Sequence, residues 1–79
     1  MRNDLEHPSK VVGVKQTRRA LNDGRAREIF LARDADPALT EPVAALAEEK
    51  GVSVCWTEHM RELGRACGIA VGAAAAAEL

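Results

Sequence analysis

The spacing of apolar residues along the chain predicts strands that alternate with helices. From Gly13 to about Asn22, apolar or small residues recur every three or four positions, which is typical of a helix with one buried face. Asp23 and Gly24 then form a common helix-ending pair. The apolar run Glu28–Ala32 has no alternation and predicts a central strand that is covered on both faces.

Three more segments are interpreted as strands. Residues 10–13 precede the first helix, residues 52–56 form a short apolar run, and residues 73–79 end the chain. The last segment is rich in alanine, and propensity alone leaves strand and helix open there. With a final strand, the alternation predicts an α/β sandwich with helices on both sheet faces. Residues 9–79 are then one domain, and residues 1–8 a flexible or short helical segment.

The second helix is complicated by two prolines. Asp36 is suited to cap a turn that begins at Pro37, but Pro42 interrupts a single long helix. We therefore expect a separate turn after Asp36, a new N-cap at Thr40, and a helix that tolerates Pro42 and runs to Lys50.

The last helix is expected to begin at an N-cap, Thr57, and to end at Gly68. Its inward face should carry Leu63 and Cys67, together with Met60. After Gly68 comes a glycine-flanked apolar loop, residues 69–72, whose β-branched side chains are either exposed or buried under the sheet edge.

Composition narrows the classes of protein and of site. With 79 residues and 47% hydrophobic content, the chain can form one core but not two. Phe30 and Trp56 are its only aromatic residues, which argues against base-stacking platforms. Cys55 and Cys67 are too widely spaced for a metal-binding pair, so we expect two buried thiols in a reducing cytoplasm. No leader or membrane-spanning run is evident, and no metal or cofactor is expected.

The formal net charge of −1 conceals an uneven distribution of charge. Basic residues dominate from position 10 to position 33, where only Asp23 and Glu28 oppose Lys10, Lys15, Arg18, Arg19, Arg25, Arg27 and Arg33. Acidic residues collect later, at Glu41, Glu48, Glu49, Glu58 and Glu62. One basic side and one acidic side would orient the protein on a phosphate backbone.

The start of the first helix is the strongest candidate for a binding surface. Lys15 and Arg19 lie four residues apart on its outer face, with Gln16 between them, and like charges at that spacing disfavour an isolated helix. An anionic partner would remove that repulsion. Gly13 allows close approach of a partner, and the free N–H groups of a helix start favour phosphate. The alternative is a solvated basic face.

Three segments in order resemble the kink-turn-binding ribosomal-protein family, and its small bacterial members most closely. They are Gly13-Val14-Lys15-Gln16-Thr17-Arg18-Arg19, Arg33-Asp34-Ala35-Asp36-Pro37, and residues 63–74, Leu-Gly-Arg-Ala-Cys-Gly-Ile-Ala-Val-Gly-Ala-Ala. The resemblance implies a three-layer α/β/α sandwich with a small, four-stranded mixed sheet. It also implies a cytoplasmic, monomeric, non-catalytic protein that grips structured RNA bent at tandem sheared G·A pairs, as in ribosomal or regulatory RNA.

The resemblance also implies which residues meet the RNA. Lys15, Gln16 and Arg19 match the family's three polar positions at the helix start, and Ala70 stands where an acidic residue is usual in its apolar loop. The full implied set is Gly13, Val14, Lys15, Gln16, Arg18, Arg19, Arg33, Arg65, Ile69, Ala70 and Val71.

An enzyme and a protein-interaction module are the two alternative functions. An enzyme is disfavoured because His7 and His59 sit in unrelated contexts and no Ser or Cys has an adjacent base, while Asp34 and Asp36 suit turn and cap chemistry. A protein-interaction module on the same fold, without RNA binding, remains the second reading, because a fold does not settle a function.

Overall fold

The computed structural model describes residues 9–79, and the predicted N-terminal segment, residues 1–8, lies outside them. Strands and helices alternate along the whole described chain, as the spacing predicted. The elements are β1 (Lys10–Val12), α1 (Val14–Asn22), β2 (Glu28–Ala32), α2 (Pro37–Glu49), β3 (Ser53–Thr57), α3 (Met60–Ala66) and β4 (Ala75–Glu78). None of the helices in residues 9–79 is long and apolar enough to cross a bilayer.

The four strands form one mixed sheet in the order β1-β4-β2-β3. β2 and β3 are parallel, whereas β4 runs antiparallel to both of its neighbours, β1 and β2. Ala77 is therefore flanked by Val11 on one side and by Ile29 on the other. The prediction that Glu28–Ala32 is an interior strand is confirmed.

Helices cover both faces of the sheet, which confirms the three-layer α/β/α sandwich. On one face, α1 and α2 pack on the sheet through a cluster of buried residues, Ala20, Leu21, Ile29, Leu31, Val43, Ala47, Ala75 and Ala77. On the other face, α3 contributes Leu63 to a smaller cluster with Ala32, Ala35, Ala73 and Ala76. Phe30 packs against this second cluster.

The alanine run is a strand, which settles the choice that propensity left open. Ala75, Ala76 and Ala77 are all almost completely buried, at 0%, 1% and 0% exposure. Ladder hydrogen bonds on both sides and helices on both faces leave room only for small side chains. Tertiary pairing thus overrides the helix propensity of alanine.

The second helix corrects the prediction of a break before Thr40. α2 is continuous from Pro37 to Glu49, and Asp36 is its N-cap, with Oδ1 accepting a hydrogen bond from Ala38 N at 2.9 Å. Thr40 is buried inside the helix rather than capping it. The buried face of α2 thus comprises Thr40 as well as Val43 and Ala47. Pro42 has no N–H to donate to the carbonyl four residues earlier in the helix. Because Pro42 is exposed, that carbonyl lies on the outer side of α2 and is open to water.

The third helix corrects the prediction of an N-cap at Thr57. β3 extends through Thr57, which pairs with Ala32, and α3 begins only at Met60 with His59 in the N-cap position. The hydroxyl of Thr57 lies 3.4 Å from the carbonyl oxygens of both Leu31 and His59, so it bonds to the backbone around the strand end.

The prediction that both cysteines are buried is wrong for Cys55. β3 is an edge strand, and the short helix α3 leaves Cys55 exposed, while Cys67 is half-buried. Trp56 is also 38% exposed on this edge strand. An apolar run in sequence cannot distinguish an edge strand from an interior one.

Candidate functional site

The helix start, the turn after β2 and the apolar loop lie at the same end of the sheet. Gly13 N donates to the carbonyl oxygen of Ala75 at 2.8 Å, and Ala32 N donates to that of Ala74 at 3.0 Å. Because β4 runs antiparallel to β1 and β2, its first residue lies beside their last ones. Segments that are far apart in sequence therefore become neighbours.

The start of α1 leaves its backbone donors open. Gly13 is the N-cap with φ 107° and ψ 152°, a conformation that favours glycine. Among the described residues, no heavy atom beyond Gly13 and its two neighbours in the chain lies within 4 Å of the position that a Cβ would take there. The helix has no side-chain cap and no acidic residue in its first turn within this part of the chain. Its N–H groups thus present the positive end of the helix dipole outward.

The outer face of α1 carries the predicted polar residues. Thr17, Ala20 and Leu21 are buried, as the helical spacing predicted. The exposed residues of the helix line a shallow open groove of about 370 Å³, formed by Lys15, Arg18, Arg19, Asn22 and Asp23, with Gln16 exposed beside them. Val14 is half-buried against the core, so a partner would meet mainly its backbone. The sequence reasoning missed Asn22, which lies one turn beyond Arg18.

The apolar loop, residues 69–72, is exposed rather than buried under the sheet edge. Val71 is 70% exposed and Ile69 is 37% exposed, and Ala70 is exposed between them. The loop is nevertheless fixed to α3, because Ile69 N donates to Gly64 O and Ala73 N donates to Met60 O, both at 3.0 Å. The loop therefore presents two apolar side chains, Ile69 and Val71, to water in a fixed backbone.

A cleft of about 670 Å³ lies between this loop and the start of α3. Its lining includes the predicted residues Arg65 and Ala70, and also Asp34, His59, Met60, Arg61, Glu62 and Gly72. Sequence reasoning missed Arg61 and His59. One signal was available: Arg61 and Arg65 are like charges four residues apart, the pattern that drew attention to Lys15 and Arg19.

Asp34 closes the base of the cleft through hydrogen bonds. Its Oδ1 accepts from Met60 N at 2.7 Å, which caps the first turn of α3 from another segment. Its Oδ2 lies 3.4 Å from His59 Nδ1. The turn and cap roles expected for Asp34 and Asp36 are confirmed.

Arg33 is placed apart from the helix start. Its Nε lies 3.4 Å from Glu58 Oε2, and its Cζ lies 5.6 Å from the centroid of the Trp56 ring. The side chain therefore contacts β3 and the segment after it, on the far side of β2 from β4. Of the predicted basic residues outside α1, Arg65 borders the loop and Arg33 borders the opposite edge of the sheet.

The described residues offer no assembled metal site and one perturbed thiol. Within residues 9–79, no group of three or more His, Cys, Asp or Glu side chains is placed to hold a metal ion. Burial raises the pKa of the Cys67 thiol, and the positive charge of Lys10 opposes this with a smaller effect. Cys67 is accordingly a poor nucleophile at neutral pH.

Sequence relatives match nearly the whole chain. An RNA-binding protein from Bacillus pumilus is 54% identical over 69 residues, which are 87% of this chain and 84% of the relative. RNA-binding protein YbxF from Geobacillus stearothermophilus is 51% identical over the same shares of the two chains. Large ribosomal subunit protein eL8 from Halobacterium salinarum is 41% identical over 66 residues, which are 82% of this chain and 55% of that protein.

A solved structure shares the fold. The Giardia lamblia 15.5kD RNA binding protein superposes with a TM-score of 0.83 at 28% identity, covering 89% of this chain. The chain spans 59% of the length of that protein. The model of the ribosomal protein L7Ae/L30e/S12e/Gadd45 family matches residues 2–79. Family model, relatives and fold agree, and the chain belongs to the ribosomal protein L7Ae/L30e/S12e/Gadd45 family.

Proposed function

We propose that this protein binds RNA that folds into a kink-turn with tandem sheared G·A pairs. The observation that carries the proposal is that an uncapped, basic helix start and an exposed apolar loop lie at the same end of the sheet. Binding to a duplex phosphate backbone would not explain the exposed apolar loop. Binding to a protein partner would not explain the row of basic side chains on α1. The names of the relatives support RNA as the partner.

The helix start supplies the polar part of recognition. The amide of Gln16 both donates and accepts hydrogen bonds, so it suits a guanine edge in a sheared pair. Lys15 and Arg19 supply contacts to O6 and N7 of guanine or to phosphate. The open space above Gly13 lets the RNA backbone approach the helix N–H groups closely.

The apolar loop supplies the part that selects bent RNA. A nucleotide that is unstacked at a kink exposes its base face, and Ile69 and Val71 offer apolar side chains that can cover it. Arg65 beside the loop would neutralise a neighbouring phosphate. Ala70 is uncharged, whereas an acidic residue is usual at this loop position in the family. The loop of this protein therefore lacks a negative charge that would repel RNA phosphates.

The charge distribution favours one orientation on the RNA. The exposed acidic residues Glu41, Glu48 and Glu49 belong to α2, whereas the outer face of α1 carries Lys15, Arg18 and Arg19, so a phosphate backbone is attracted to the outer face of α1. We propose that the protein acts in the cytoplasm as a monomer and without catalysis, with one copy on each kink.

The test compares two RNAs at fixed salt and magnesium: a kink-turn, and the same stems joined without G·A pairs. Gln16→Ala or Arg19→Ala should cost about 1–3 kcal/mol on the kink-turn, the value of a positioned base contact, and less on the control RNA. Val71→Asp should also lose affinity, because it places a charge against an unstacked base. Glu48→Ala is the matched control and should be near neutral.

Two results would change this assignment. Equal losses on both RNAs for Gln16→Ala would mean that the helix start only attracts phosphate. Absence of any binding by the wild-type protein at low salt would leave the protein-interaction module as the function of this fold.

A further inference from the structure

The apolar loop is attached to α3 at both of its ends. The hydrogen bonds from Ile69 N to Gly64 O and from Ala73 N to Met60 O are both 3.0 Å long. The loop backbone between them packs directly on the helix. The position of the Val71 side chain is therefore set by how closely this backbone approaches α3.

Gly64 makes that close approach possible. A Cβ at Gly64 would overlap the carbonyl oxygen of Val71 and would lie 3.0 Å from the carbonyl carbon of Val71 and 3.1 Å from Gly72 Cα. All three are backbone atoms, so a larger side chain could be accepted only if the loop moved. Glycine inside a helix lowers helix propensity. At this position the absence of a side chain allows the loop backbone to contact α3 closely.

Asp34 fixes the other end of the same helix. Its carboxylate accepts from Met60 N at 2.7 Å, and Met60 O in turn accepts from Ala73 N. Gly72 also packs on Met60, since a Cβ at Gly72 would lie 3.0 Å from the Cβ of Met60. A continuous series of contacts thus joins the turn after β2, the start of α3 and the end of the loop.

We infer that Gly64 and Asp34 are positioning residues, which hold the apolar loop in its RNA-binding conformation before RNA arrives. This inference rests on the proposed function. Neither residue needs to contact RNA. Their effect is to place the exposed Val71 side chain and to spare the complex the entropic cost of ordering the loop on binding.

The experiment is a double-mutant cycle on the full chain, with a fluorescein-labelled kink-turn oligonucleotide and anisotropy as the readout. Gly64→Ala should weaken binding about tenfold or more, equivalent to about 1.4 kcal/mol. In a Val71→Ala background the same change should cost clearly less, because the side chain that it misplaces is already gone. Independent, additive losses would overturn the inference.

Gly51→Ala is the matched control for an effect on stability alone. Gly51 follows α2 at the opposite end of the sheet with φ 71°, so alanine there strains the backbone but leaves the loop in place. It should lower the unfolding midpoint without changing the affinity for RNA. If Gly51→Ala weakened RNA binding as much as Gly64→Ala does, Gly64 would be merely structural.

Asp34 provides a second route if Gly64→Ala does not fold. Asp34→Asn keeps an oxygen that can accept from Met60 N and should retain near wild-type affinity, whereas Asp34→Ala removes that acceptor and should weaken binding severalfold. Wild-type affinity in both Asp34→Ala and Gly64→Ala would refute the inference while the proposed function stood. Failure of the wild-type protein to bind the oligonucleotide would instead refute the proposed function, and the inference with it.

Discussion

The amide of Gly13 donates a hydrogen bond to the carbonyl oxygen of Ala75 at 2.8 Å. This bond joins the N-cap of α1 to the first residue of β4, the strand that follows the apolar loop. It extends the β1–β4 ladder by one position beyond the pairing of Val12 with Ala76. The helix start and the apolar loop consequently belong to the same end of the sheet, and the proposed RNA contacts of the two elements are joined through β4.

Binding of kink-turn RNA should weaken with salt, but with a shallow slope. Lys15, Arg18 and Arg19 lie on the outer face of α1 and Arg65 borders the loop, whereas Arg33 pairs with Glu58 beside β3. About three to five counterions should therefore be released. The measurement is the dependence of log K on log salt concentration. Arg18→Ala should lower the slope by about one. Affinity that does not change with salt would contradict the proposed contacts between these basic side chains and RNA phosphates.

Replacing Thr17 with valine should leave stability unchanged or raise it by up to about 1 kcal/mol. Thr17 is fully buried, and among residues 9–79 its hydroxyl has no hydrogen-bond partner. Valine has the same shape and removes a polar group whose burial is uncompensated. Urea unfolding measures the change, with Thr17→Ala as the control that creates a cavity and destabilises. A loss of more than about 1 kcal/mol in Thr17→Val would show that the hydroxyl is bonded in solution.

Removing the cap of α2 should destabilise the fold. Asp36 Oδ1 accepts from Ala38 N at 2.9 Å, and loss of an N-cap costs about 0.5–2 kcal/mol. Asp36→Ala should lower the free energy of unfolding by that amount, whereas Asp36→Asn, which keeps a capping oxygen, should be close to wild type. Equal stability of the two variants in urea or thermal unfolding would show that the hydrogen bond from Ala38 N to Asp36 contributes nothing to stability.

The two cysteines should react at different rates. Cys55 is exposed, whereas Cys67 is half-buried and burial raises its pKa, so at a given pH the Cys67 thiol forms less of the reactive thiolate than an ordinary thiol does. Cys67→Ser, which leaves Cys55, should be labelled quickly by a thiol reagent. Cys55→Ser should be labelled slowly, at a rate that rises only at higher pH than for an ordinary thiol. Faster labelling of Cys67 than of Cys55 in the folded protein would overturn this assignment.

Local patterns in the sequence determined the helical part of the site. The spacing of Thr17, Ala20 and Leu21 predicted both the limits of α1 and its exposed basic face, because helical periodicity relates neighbours in sequence to neighbours in space. Asp36 and Pro37 likewise marked a real helix start, since capping involves only adjacent residues. The resemblance of the helix start and the loop to one family predicted the family of the chain, and that assignment is confirmed.

The errors arose where a local rule competed with burial. Thr40 carries a good capping side chain, yet it is buried inside α2 because Asp36 caps the helix one turn earlier. Cys55 lies in an apolar run, yet it is exposed because β3 is at the edge of the sheet. Neither outcome can be read from a short window of residues, since both depend on what packs against the element.

Only the tertiary structure decided how the site is assembled. The antiparallel pairing of β4 with β1 and β2 turned the alanine run into a strand and placed the apolar loop at the same end of the sheet as Gly13. Capping of α3 by Asp34 and the contact of Gly64 with Val71 are likewise contacts between separate segments. Periodicity and capping act over a few residues and are legible in the chain, whereas strand order and close backbone packing follow from burying both faces of a sheet at once.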